Sequence, residues 1–175
     1  CRTLAALPFA SAGYTLNLFS ALCGAAAVWL LYRIVSNIEH NRTFDESMSR
    51  FNAPFVQALS GAFAALLLAT CVPFWLVSTR AHPASCDTLL LLLAFHLLMR
   101  FAATGKLMHA CLSAFVYGLG VTELATMIVL APLYGLMMLY VLWRTERLNP
   151  RVIAAILACG VVGLTPYIAC ALQNW

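Results

Sequence analysis

The segment from Leu89 to Phe115, LLLLLAFHLLMRFAATGKLMHACLSAF, decides the fold. It is apolar enough to lie in a bilayer, yet it carries His96, Arg100, Lys106 and His109. A charged side chain at mid-membrane costs about 2.5–3.5 kcal/mol on insertion scales. From Thr88 to Tyr117 no clean loop intervenes, and about 30 residues at 1.5 Å rise would reach about 45 Å, beyond a hydrocarbon core of about 30 Å. The helix therefore either slants or breaks at Gly105. Tilting is the usual remedy for excess length, and Gly118-Leu119-Gly120 offers a better turn than Thr104-Gly105-Lys106. One long slanted helix is expected.

The remainder of the chain has the same character. Its 175 residues are 63% hydrophobic and 9% charged, with a mean hydropathy of +0.91. A soluble domain is about 45–50% apolar and about 25% charged. The expected fold is an all-α polytopic transmembrane bundle of about five spans plus one interfacial amphipathic helix, with residues 1–175 forming a single integral membrane domain. The spans run from about Thr15 to Val35, Phe55 to Ser78, Thr88 to Tyr117, Val121 to Trp143 and Arg151 to Gln173. Between the first two, Thr43 and Glu46 form a capping-box pattern. Phe44, Met48, Phe51 and Phe55 recur at helical spacing, so a short interfacial helix ending near Pro54 is expected.

The net charge of +4 comes from nine arginines and Lys106 against six acids. It contains no basic run suited to nucleic acid and reads as topology: five spans set Arg2, Arg80, Arg144, Arg147 and Arg151 against Arg33, Arg42 and Arg50, which places the N-terminus weakly inside. Cys23, Cys71, Cys111, Cys159 and Cys170 fall in apolar runs and are expected as free thiols. The chain opens at Cys1 with no acid before Glu39, a start compatible with removal of an import sequence or with a fragment.

Catalytic material is scarce. There is no HExxH, no Gly-rich phosphate loop, no nucleophile elbow and no metal spacing, so neither a catalytic residue, a metal site nor a cofactor is expected. Haem ligation within the chain is disfavoured, because His96 and His109 are 13 residues apart and point about 220° from one another. His96, Arg100 and Thr104 share one helical stripe at i, i+4 and i+8, and His109 points to the other side.

Arg100 to His109, RFAATGKLMH, resembles the proton-channel helix of the a subunit of rotary F-type ATP synthases, patterned as Arg, Asn four residues on, and His or Glu nine residues on. Arg100 and His109 match, and Thr104 stands in place of Asn. Glu123 in ELATMIVLAPLY is similar to the family's last-helix glutamate, with Leu130 where glutamine is expected. Glu123 follows Arg100 at about half the family's separation, and Glu146 is better spaced. The resemblance implies a proton pathway of Arg100, His109, Glu123, Thr104, Glu146 and His96, with Arg100 at the boundary between two half-channels and facing a c-type ring. It also implies a mitochondrial inner-membrane address, other membrane subunits as partners, and lipids such as cardiolipin. Two further classes stay open. One is a structural, supernumerary subunit of a respiratory complex, argued from small-residue helix faces. The other is a stand-alone carrier or lipid-modifying enzyme of the secretory pathway, to which the sequon Asn41-Arg42-Thr43 points.

Overall fold

The computed structural model describes residues 12–38, 53–80, 83–121 and 125–166. Among these there is no strand. Seven helices follow in order: α1 (Ala12–Ser36), α2 (Ala53–Thr70), α3 (Val72–Thr79), α4 (Ala84–Thr104), α5 (Leu107–Val121), α6 (Ala125–Arg144) and α7 (Pro150–Gly163). Among the described residues three stretches are long and apolar enough to cross a membrane: Gly13–Ser36, Ala84–Thr104 and Met127–Arg144. Counting the bent pair α2 and α3 as one span makes four; α5 and α7 are shorter apolar helices. The all-helical class stands; the described residues hold three or four spans by length and composition, and the expected count of about five is not confirmed. The expected interfacial helix lies outside the described residues save its last few, where Ala53 and Pro54 open α2 instead of closing a preceding helix.

The chain divides into two compact units, with the division in the first turn of α4 after Cys86. In the first unit, α1 runs antiparallel to α2 and α3. Gly61 sits against Tyr32 and Ser36, and Gly24 against Phe74 and Ser78. The span expected from Phe55 to Ser78 bends by 66° at Cys71. Pro73, in the first turn of α3, is the cause: it lacks the N–H that a continuous helix would use, and its ring would strike the carbonyl four residues earlier. Ser20 closes this unit, donating to the Val77 carbonyl at 3.2 Å and lying 2.7 Å from the Ser85 hydroxyl.

The second unit corrects the reading of Leu89 to Phe115. There is no long slanted helix. The chain reverses at Gly105, whose φ of +64° is left-handed backbone that residues with a Cβ adopt at a cost. The Gly105 N–H bonds the Phe101 carbonyl at 2.8 Å, the single bond of an αL helix cap. α4 and α5 then run antiparallel, with the Ser113 hydroxyl on the Ala94 carbonyl and Gly120 against Leu90. The expected turn at Gly118 to Gly120 is instead helix interior. A Cβ on Gly118 would meet the Gly160 carbonyl oxygen, and one on Gly163 would meet that of Phe115. These residues are glycine because α5 and α7 touch backbone to backbone, the small-residue packing through which apolar helices associate without a hydrophobic drive.

Outward-facing side chains complete the membrane character. Val129, Leu133, Leu136, Tyr140 and Trp143 form one exposed stripe of α6, with Val129 75% accessible. Such a stripe is stable only against lipid or another apolar surface. The core of this unit is Leu97, Leu98, Phe101, Ala110, Met127, Tyr134, Met138 and Leu142 with their neighbours.

Candidate functional site

The hairpin resolves the apparent cost of a charged mid-span helix. Arg100 lies one turn from the end of α4 and is exposed; Lys106 is in the turn itself and exposed. Both can carry their charge to the headgroup level on long stems. Thr104 closes the turn locally: its hydroxyl donates to the Arg100 carbonyl at 2.7 Å and accepts from the Lys106 N–H at 3.4 Å. His109, in the first turn of α5, is half-buried, and its Nδ1 is buried with no hydrogen-bond partner among the described residues. His96 is half-buried in the middle of α4.

The other end of the α6 helix arrives at the same level. Contacts between α5 and α6 pair Ser113 with Tyr134 and Gly120 with Met127, an antiparallel register that puts Lys106 near Val141 and Arg144 one turn beyond. α5 and α7 are parallel, with Gly160 beside Ala114 and Gly163 beside Phe115. Offsets of 46 and 48 residues set Arg151 level with the Gly105 turn. All five lysines and arginines of residues 87–175, namely Arg100, Lys106, Arg144, Arg147 and Arg151, therefore gather at one end of the unit. Glu146 joins them as an exposed carboxylate with φ of 54°. It occupies the left-handed position of a Schellman cap, with Arg147 N–H on the Leu142 carbonyl at 3.0 Å and Glu146 N–H on that of Trp143 at 3.1 Å. Asn149 caps α7, its side chain accepting from the Arg151 N–H.

Below this end lies a polar cluster that the sequence reading passed over. Ser113, fully buried, spends its one proton on the Ala94 carbonyl at 2.7 Å. It must therefore accept from Tyr134, whose hydroxyl is 2.7 Å away. Tyr117 donates to the Met127 carbonyl at 2.6 Å, and its ring stacks on Tyr134 at 4.0 Å between centroids and 4° between planes. Phe95 meets Tyr134 edge-on at 6.3 Å. Every hydroxyl is satisfied, as low-dielectric surroundings require, and the cluster ties α4, α5 and α6 together. Serine and tyrosine inside apolar runs were the available signal, since each needs a partner there.

Of the sequence-derived site residues, the structure brings Arg100, Thr104 and His109 to one turn, beside Lys106, but on two helices rather than one. Glu146 is at the same end by topology, His96 stands apart in α4, and Glu123 lies outside the described residues. Among the described residues no three of His, Cys, Asp and Glu converge in a way that could hold a metal ion. Among the described residues Cys23, Cys71, Cys111 and Cys159 are free thiols.

The family model described as Protein O-mannosyl-transferase TMEM260 N-terminal domain matches residues 1–149. No curated protein and no solved structure matches the chain. The match overturns the resemblance to the ATP synthase a subunit, and with it proton transport, a role in an ATP synthase or respiratory complex, and the mitochondrial inner-membrane address. The c-type ring and the neighbouring complex subunits fall as partners for the same reason, and cardiolipin falls with the mitochondrial address that suggested it. The physical weakness of that resemblance is now visible: its arginine and histidine were spaced along one helix, whereas Arg100 and His109 are separated by a reversal at Gly105. With 149 of its 175 residues matched, the chain belongs to the family of the protein O-mannosyl-transferase TMEM260 N-terminal domain.

Proposed function

We propose that this chain is a membrane-embedded part of a protein O-mannosyl-transferase, an enzyme that joins a mannosyl group to a hydroxyl oxygen of a protein acceptor, and that it resides in a membrane of the secretory pathway. The family match over residues 1–149 carries the reading. The helical, lipid-compatible surface of the described residues supports it. A transferase replaces the carrier among the secretory-pathway alternatives, because the matched family is named for glycosyl transfer.

On this reading residues 1–175 form one integral membrane region built of two helical units. α1, the bent pair α2 and α3, α4 and α6 serve as crossings, and α5 and α7 return the chain as shorter helices through the second unit. Arg100 and Lys106 act as headgroup anchors and Thr104 as a cap of the turn. His96 and His109 pack within the hairpin, and Glu146 belongs to the cationic end.

Mass spectrometry of glycopeptides tests the proposal. Disrupting the gene should remove O-linked mannose from a defined set of secretory or cell-surface proteins, and re-expression of the full-length protein should restore it. An unchanged set of O-mannosyl glycopeptides in disrupted cells would overturn the assignment.

A further inference from the structure

We propose that the groove between α5 and α7 seats one acyl chain of an anionic glycerophospholipid, with its phosphate held by Arg151 at the cationic end of the unit. This inference does not depend on the mannosyl-transfer reading. The groove has a cavity volume of about 370 Å³ and is lined by Met108, Leu112 and Phe115 from α5, Ala158 and Val162 from α7, and a thiol from each helix. Nothing charged lines it, so water has no partner inside, and an empty groove would forfeit dispersion contacts along its walls. From Met108 to Phe115 the groove follows α5 for about 10 Å, within one half of a hydrocarbon core of about 30 Å.

The headgroup end is set by register. Arg151, Ala158 and Val162 stand at i, i+7 and i+11, one face of α7, so an exposed arginine caps the same stripe that lines the groove. Lys106 and Arg147 are at that level, and Tyr140 and Trp143 are exposed there, the residue types that settle at the membrane interface. Five cations against Glu146 leave this end strongly positive, which selects a lipid with net negative charge over a zwitterionic one. Arginine also suits a phosphate better than lysine by its fork of donors.

Native mass spectrometry of the full-length protein, released from nanodiscs containing equal phosphatidylserine and phosphatidylcholine, reads the outcome. Phosphatidylserine should be retained in preference. Arg151→Gln should lower its retention about fivefold, the effect of about 1 kcal/mol for one basic residue at an anionic surface, and Arg151→Lys should keep most of it. Ala158→Leu, which fills the exposed groove without touching the α5–α7 backbone contact, should reduce retention independently of charge. Equal retention of both lipids would overturn the proposal. So would retention unchanged by both Arg151→Gln and Ala158→Leu.

Discussion

The two units solve one problem with different materials. Each joins apolar helices that have no hydrophobic incentive to meet, and each places a serine at the join. In the first, Ser20 reaches the Val77 carbonyl and the Ser85 hydroxyl, and glycines admit the Ser78 side chain beside Gly24 and, beside Gly61, the Tyr32 carbonyl oxygen at 3.0 Å with the Tyr32 and Ser36 side chains. In the second, Ser113 belongs to a stacked tyrosine pair, and glycines admit backbone: Gly160 against Gly118, Phe115 against Gly163. A Cβ on Gly61 would stand 3.0–3.2 Å from its neighbours, whereas one on Gly118 or Gly163 would meet backbone closer still, and a helix backbone moves only as a unit. The second join is therefore the more exacting.

That contrast can be broken most directly at the glycines. Gly118→Ala or Gly163→Ala should destabilise by about 3 kcal/mol, the upper range for forced overpacking, despite the better helix propensity of alanine. Gly61→Ala, whose nearest neighbours are at 3.0–3.2 Å, should cost clearly less. Thermal unfolding of the purified protein in detergent compares them, and equal losses would erase the distinction between the units.

Next in size is Ser113→Ala. It leaves the Tyr134 hydroxyl buried without its acceptor, a loss of about 2 kcal/mol within the range for an orphaned polar group. Tyr134→Phe should cost only about 1 kcal/mol, since Ser113 keeps its bond to Ala94. If the double variant is as unstable as the two losses added together, the hydroxyls are not coupled and the cluster is no latch.

Gly105→Ala tests the turn that creates the hairpin. No atom would crowd the added Cβ, so the expected loss of about 1 kcal/mol is purely the left-handed backbone cost. The smallest effect is a gain: Glu146→Gly relieves the same strain at the end of α6 and should raise stability by a few tenths to about 1 kcal/mol. A loss there would show that the Glu146 carboxylate makes an ion pair within the cationic cluster that outweighs the strain.

The membrane-helical class was legible in the chain because apolar runs of span length and a charge content of 9% admit few other solutions. The ends of α1 and α6 were also placed within a few residues, since Arg33 and Arg144 mark where apolar runs meet polar ones. The cationic end was not legible. Seen along the sequence, Arg100 and Lys106 interrupt an oily stretch, and their distance from Arg147 and Arg151 says nothing of shared location. The tyrosine cluster was hidden for a related reason: Ser113, Tyr117 and Tyr134 look like minor impurities in apolar helices until their partners are known.

What the sequence determined by itself was an apolar composition, runs of span length and, through the match over residues 1–149, membership of the family of the protein O-mannosyl-transferase TMEM260 N-terminal domain. What only the tertiary structure decided was whether Thr88 to Tyr117 bends. Intrinsic preference left Gly105 and the pair Gly118 and Gly120 as competing places to turn. Packing separated them, because α7 comes so close to Gly118 that no Cβ would fit, and Gly105 faces open space with a backbone angle that only its missing side chain makes cheap.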